Sequence, residues 1–349
     1  MNIKVFSLGL AILVFSALLW FYSSKFESEK GIMDQKEIKP ITIGEPKVEM
    51  TNHTYLMKAR ILVKNNLNRT VKDLIYFTIP RNLTYQTTFL KGINPEPKEI
   101  RIDEDGNVFA VIEVEVKPNM TKWINMTVEI HMAEYDIDET SANSYWPDEK
   151  IVKELTIPTR IWNTENKTLI EIAEKYGKGD TPLDIAESLA KWVARNTLYE
   201  VTNVRKGSDR AIIKEGFNYK IHGDCVEVAD TYVTLARIKG LPARTAFGFM
   251  LTNKNELMWL NYSIRDEGER VLTHWGGHMW SQVYVPPWGW VDVEVLEGYV
   301  PKMGEYSWRH IVLGVEETKY YGTTLSNFAI SGYLEIQYAE YEFKYLGGG

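Results

Sequence analysis

From Lys47 onward the chain alternates apolar and polar residues in short runs: Thr54 to Val63, Leu74 to Ile79, Val108 to Val116 and Trp123 to Ile130. Clusters of Asn, Gly, Pro and Asp, such as Glu104-Asp-Gly-Asn107, separate these runs. Period-two alternation broken by turn residues predicts an antiparallel β-sandwich over 45–140. The pattern then changes. Thr168 to Tyr176 and Thr181 to Asn196 read as helices. In the second, Ile185, Leu189, Trp192 and Val193 share one face, with Thr181 as cap and Pro182 at the first helical position. A third helix-like run starts at Cys225 and ends at Gly240, followed by strand patterns at Thr245–Met250, Met258–Ile264, Met279–Val285 and Trp290–Val295. Helices leading into an antiparallel sheet predict an α+β domain over 141–300. The aromatic stretch around Leu325 to Tyr338 makes 301–349 a C-terminal β extension.

The first 24 residues follow another rule. Val5 to Tyr22 is an uncharged run of 18 residues. At 1.5 Å per residue it spans roughly 27 Å, close to the hydrocarbon thickness of a bilayer. Bulky Trp20, Phe21 and Tyr22 occupy the region where a signal peptide carries small residues before its cut, and they suit an interfacial belt. An uncleaved transmembrane anchor over 1–24 is therefore favoured over a removed signal. Residues 25–44 are charged without an apolar period and read as a stalk.

Composition bounds the partners. The net charge of −7 is spread without a basic block, which argues against nucleic acid. Asn-X-Ser/Thr occurs at Asn52, Asn68, Asn82, Asn119, Asn125, Asn166 and Asn261. Chance would supply roughly two such sites, so the excess makes these asparagines candidate N-glycan acceptors. They place the body on the extracellular side of the cell membrane.

The single cysteine, Cys225, can form no internal disulfide. At a helix start it would feel the positive end of the helix dipole, which favours a thiolate. A thiol nucleophile also needs a base, and the base an orienting partner. His53, His131 and His310 lie in segments without a catalytic neighbourhood, and His222 sits three residues before Cys225. A hairpin folded about Pro286 would set Trp280 opposite Asp292 and His278 opposite Glu294, at imidazole–carboxylate range. His278, Trp280, Asp292 and Glu294 then share one face. Arg244 reads as a structural partner near the Cys225 helix, and Glu227 and Asp230 as exposed helix charges.

Gly-Asp-Cys225 heading a helix, Gly240-Leu-Pro-Ala-Arg244, His278-X-Trp280 and Gly289-Trp-Val-Asp-Val-Glu294 together resemble the core of the transglutaminase-like superfamily over 165–300. The resemblance implies a papain-like α+β fold and a Cys-His-Asp triad. Carried over, Cys225 is the nucleophile and His278 the general base. The family's Asp position holds Glu294 here, with Asp292 two residues earlier. Glu294 is preferred on the pairing argument, with Asp292 as its alternative. The implied chemistry is attack of Cys225 on a peptide or protein amide, a thioester, and transfer to water or an amine. No cofactor is expected.

Two other readings stand beside this one. His222, Cys225, His274 and His278 could supply a zinc site by ligand count, although structural zinc more often uses paired cysteines. The domain could also be a catalytically silent cell-surface binding module, since fold does not guarantee activity. Walker A, His-Glu-X-X-His and Gly-X-Ser-X-Gly motifs are absent.

Overall fold

The computed structural model describes residues 51–142, 144–201, 205–264, 270–272, 277–296, 300–317, 328–330 and 332–348. The expected anchor and stalk, and His274, lie outside the described residues. Among the described residues, no helix is long and apolar enough to cross a membrane.

Seven strands come first: β1 (Asn52–Lys64), β2 (Val71–Ile79), β3 (Gln86–Asn94), β4 (Glu99–Ile102), β5 (Val108–Val116), β6 (Thr121–Ala133) and the short β7 (Tyr135–Asp136). In β1, inward-facing Tyr55, Met57, Ala59, Ile61 and Val63 are buried, as period-two patterning requires. Helices α1 (Glu149–Leu155), α2 (Lys167–Tyr176) and α3 (Pro182–Asn196) follow. The start of α3 is set by a capping box, in which the Thr181 side chain accepts from Asp184 N and the Asp184 side chain from Thr181 N. Strand β8 (Thr197–Tyr199), the single turn α4 (Ser208–Ala211), β9 (Ile212–Glu215) and β10 (Asn218–Gly223) lead to α5 (Cys225–Ile238). Beyond it lie β11 (Ala243–Met250), β12 (Glu256–Ile264), β13 (Arg270–Leu272), β14 (Gly277–Val285) and β15 (Gly289–Glu294). The remaining strands are β16 (Lys302–Met303), β17 (Glu305–Tyr306), β18 (His310–Glu316), β19 (Phe328–Ile330) and β20 (Glu335–Gly347).

The early strands divide between a six-stranded sheet, β13-β12-β20-β1-β6-β3, and a four-stranded sheet, β19-β2-β5-β4. Both draw on the C-terminal stretch, because β20 lies along β1 over its full length and β19 pairs with β2. A five-stranded sheet, β16-β15-β14-β11-β18, backs α5. The apolar run 311–315 lies in the stretch that the sequence reads only as a C-terminal β extension. It forms most of β18, and all seven residues of that strand are buried.

Every residue of α5 from Val226 to Arg237 is buried. A helix buried all round belongs to a core. It packs against β14, β11 and β10 and against α2, α3 and α4. The Ser281 hydroxyl of β14 donates to Ala229 O at 3.2 Å and fixes the helix to the sheet.

Asn52, Asn68, Asn82, Asn119 and Asn125 are exposed. Asn166 caps α2, its side chain accepting from Leu169 N at 3.2 Å.

Candidate active site

The local sequence around Cys225 explains its position. Asp224 is the N-cap of α5, accepting from Val226 N at 3.0 Å and from the third-residue amide, while the Glu227 carboxylate accepts from Asp224 N at 3.3 Å. Gly223 is required by this closure, because a Cβ there would meet the Glu227 side chain at 2.4 Å. Cys225 is the first residue of the helix, free and half-buried. Glu227 was expected to be an exposed charge; it is fully buried, closing the cap and accepting from Lys206 N at 2.9 Å.

The hairpin differs from the expected one by its register. Residues 286–288 form the turn, Val285 pairs with Gly289, and Gln282 rather than Trp280 stands opposite Asp292. The turn is centred one residue later than Pro286, so the pairing slides by two and every side chain keeps its face. Contacts expected to be directly across the hairpin become diagonal, where separations reach roughly 7–8 Å and only long side chains can meet. Glu294 spans this diagonal: its Oε2 lies 2.6 Å from His278 Nε2. The extra methylene of glutamate is what the slipped register needs.

Asp292 is occupied elsewhere. Its Oδ1 accepts from Trp280 Nε1 at 2.7 Å and Gln282 Nε2 at 2.9 Å, and its Oδ2 accepts from the Tyr135 hydroxyl at 2.5 Å. The Tyr135 oxygen in turn accepts from Asp292 N at 2.8 Å. Of the two carboxylates, the geometry brings only Glu294 onto His278.

The Cys225 thiol lies close enough to the His278 imidazole to favour its charged form. Burial opposes charge on His278, but the neighbouring Cys225 and the Glu294 carboxylate bonded to Nε2 outweigh this and raise it to about 10. Burial likewise opposes charge on Glu294, yet the hydrogen bond from His278, the neighbouring His310 and the His278 charge hold it well below the usual carboxylate range. Trp280, 2% exposed, lies parallel to His278 with ring centroids 5.8 Å apart and walls the imidazole. With its indole N–H given to Asp292, Trp280 is not a donor toward the thiol.

In the sequence His310 lies in a segment without a catalytic neighbourhood. It opens β18 and is buried, its Nε2 3.8 Å from Glu294 Oε2. The missing signal was the strand: an apolar run of five residues bounded by a turn marks a buried strand, and a strand here carries His310 to the sheet end where Glu294 sits.

Ligand atoms of His278, Glu294 and His310 lie within 4.8 Å of one another, the one metal-like grouping among the described residues. Two ligands on a tetrahedral zinc sit about 3.3 Å apart, given bonds near 2.0–2.1 Å. The 2.6 Å between His278 and Glu294 is a hydrogen bond rather than a pair spread around an ion. The zinc reading built on His222 meets a different obstacle, since His222 Nε2 contacts Glu215 Oε1 at 3.0 Å.

Arg244 bonds Gln282 Oε1 at 2.7 Å, pairs with Glu317 and lies over the Trp290 ring at 4.0 Å, a structural role. Asp230, expected to be exposed, is fully buried. It takes two bonds from Arg205, at 2.6 and 2.8 Å, and one from the Trp162 indole at 2.9 Å. The other arm of Arg205 reaches Glu316 at 2.6 Å.

Comparison with known proteins places this geometry. Residues 170–295 match the model of the transglutaminase-like superfamily. The core is transglutaminase-like. The match takes in Cys225, His278, Asp292 and Glu294. A crystal structure described as that of a candidate cysteine protease from Cytophaga hutchinsonii superposes with a TM-score of 0.57 at 15% identity, covering 86% of this chain and 93% of that one. Its fold likeness thus extends well beyond the transglutaminase-like core. The periplasmic domain of TgpA from Pseudomonas aeruginosa, bound to ethylmercury, aligns at a TM-score of 0.34 and 13% identity over 72% of this chain and 90% of that one. An uncharacterized protein from Haemophilus influenzae is 27% identical over 123 residues, covering 34% of this chain. The match spans 32% of that relative's own length.

Proposed function

We propose that this chain is a cysteine hydrolase or acyltransferase acting on peptide or protein amide bonds, with Cys225 as nucleophile, His278 as general base and acid, and Glu294 orienting the imidazole. One observation carries the reading: a thiol at the N-terminus of a buried helix neighbours an imidazole whose Nε2 is held at 2.6 Å by a buried carboxylate. The transglutaminase-like core and the fold shared with a candidate cysteine protease support the reaction class.

With Nε2 engaged by Glu294, Nδ1 of His278 serves the thiol. His278 takes the thiol proton, and the sulfur attacks the amide carbonyl carbon while the carbonyl π electrons move to oxygen. The Asp224 cap engages the second and third helical amides and leaves the Cys225 N–H to donate to that oxyanion. Collapse breaks the C–N bond as His278 protonates the departing amine, leaving a thioester on Cys225. Water, deprotonated by His278, then releases the acid and the thiol. An amine in its place completes a transamidation.

The N-terminal apolar run and the seven sequons support a single-pass membrane protein whose body lies outside the cell, with N-glycans on exposed asparagines. Asn82 and Asn166 already accept from backbone amides, at 2.7 and 3.2 Å, which makes them poorer acceptor sites than the other exposed asparagines.

The test is alkylation of Cys225 by iodoacetamide across pH, alongside turnover of amide substrates with and without an added amine. Fast, pH-dependent labelling that slows at least about tenfold in His278→Ala supports the enzyme. A thiol no more reactive than free cysteine would sink it and leave the silent binding module.

A further inference from the structure

Glu294 reaches His278 across a diagonal with a flexible side chain, so a single hydrogen bond fixes it poorly. Its Oε1 accepts from Leu296 N at 2.7 Å, and its Oε2 faces two imidazoles, His278 at 2.6 Å and His310 at 3.8 Å. His310 is 7% exposed, and its Nε2 has no hydrogen-bond partner among the described residues. The other ring nitrogen is placed: Nδ1 lies 3.3 Å from the Ser307 hydroxyl oxygen, which accepts from Arg309 N at 3.4 Å. That hydroxyl keeps its own proton, which it can donate to Nδ1. Nδ1 is then an acceptor, so the ring proton sits on Nε2, the nitrogen aimed at Glu294. Trp280 holds the ring edge-on at 5.0 Å, and the Tyr306 hydroxyl donates to His310 O at 2.8 Å.

We propose that His310 is a positioning residue, whose Nε2–H closes onto Glu294 Oε2 and makes that oxygen the shared acceptor of two imidazoles. The inference rests on the triad reading for its consequence but not for its geometry. A second donor keeps the carboxylate ionised while His278 passes its proton, and restrains the rotamer that the diagonal contact leaves loose. The titratable groups facing His310 are Glu294 from β15, His278 from β14 and Tyr306 from β17.

Long-range ¹H–¹⁵N spectra of the histidine-labelled protein test the geometry without reference to activity. The expected signature is a proton on His310 Nε2; a ring protonated on Nδ1 and not on Nε2 would overturn the proposal. The consequence is tested with three variants read by the pH profile of Cys225 alkylation. His310→Phe keeps the packing on Trp280, and His310→Asn presents an amide near the Nδ1 position. Both are expected to slow labelling about tenfold, the scale of one lost hydrogen bond to a charged group, and to move the acid limb to higher pH. His310→Gln, whose amide reaches the Nε2 position, is expected to stay within about twofold of the parent. If His310→Phe fails to fold, the Asn and Gln pair decides. Variants sharing the parent's profile, or losing equally with Gln, would refute the positioning role. A parent thiol that is itself unreactive refutes the triad instead, and the spectra separate the two failures.

Discussion

Helix α5 and strand β18 each contribute to two buried charge clusters that do opposite things. One joins Asp230 of α5 and Glu316 of β18 through Arg205, whose side chain is 2% exposed. The other joins Cys225 of α5 with His278, Glu294 and, on β18, His310. In the first, the cation is a guanidinium that holds its proton at any ordinary pH, so the cluster can only hold shape. In the second, the partner is an imidazole next to a thiol, so protons can move. Burial of charge does not distinguish the two. The titratability of the partner does.

That contrast predicts where damage appears. Arg205→Met should leave Asp230 and Glu316 buried without their cation and destabilise the fold by about 3–5 kcal/mol. Thermal or urea unfolding would show the loss, while the alkylation rate of the remaining folded fraction stays at the parent value. A changed thiol reactivity in the folded fraction would mean that the two clusters communicate.

The two carboxylates of β15 sharpen the comparison on a single strand. Glu294→Gln should lower amide turnover of the folded protein about a hundredfold, roughly 2.7 kcal/mol in the barrier, alongside a lower melting temperature at neutral pH from loss of the buried pair. Asp292→Ala removes the acceptor shared by Trp280, Gln282 and Tyr135. It should cost about 1–3 kcal/mol of stability and leave Cys225 labelling nearly intact in the folded protein. If Asp292→Ala instead abolished labelling at full stability, the assignment of Glu294 would be wrong.

Much of this was legible in the sequence, and the failures share one cause. The Thr181 cap, the helix start at Cys225, the strands of 45–140 and the face shared by His278, Asp292 and Glu294 follow from local spacing, and local spacing survives into the structure. The choice of Glu294 was legible only in part. The sequence held both residues on the right face, but the hairpin register belongs to the turn, and a slip of two turned an opposed pair into a diagonal one. Arg205 and Glu316 are 111 residues apart, and His310 meets Glu294 through a strand read as an extension. Contacts of that separation have no local pattern, so Asp230 looked like a solvated helix charge when its cation lay on another segment.

The pH response should separate the clusters without mutating either. His278 is raised above its unfolded value near 6.5, so its contribution to stability is complete below about pH 6.5 and is lost as pH rises through about 10. Arg205 does not titrate in this window. Melting temperature should therefore fall between pH 7 and 10 in the parent and fall less in Glu294→Gln, which removes one cause of the raised value. Equal slopes in both proteins would mean that Glu294 does not hold the imidazolium.

The smallest effect concerns Asp224, a fixed negative charge beside the thiol that also caps α5. Asparagine caps a helix as well as aspartate does, whereas alanine does not. Asp224→Ala should therefore cost about 1 kcal/mol of stability and Asp224→Asn only a few tenths. Both remove a charge that opposes the thiolate, so both should speed Cys225 alkylation at neutral pH by roughly two- to fivefold, more at low salt than at high. Faster labelling in Asp224→Ala alone would trace the change to fraying of the helix end. Faster labelling in both, with stability lost only in alanine, separates the charge from the cap at one residue and shows that the first turn of α5 accepts a less favourable thiolate in return for a fixed start.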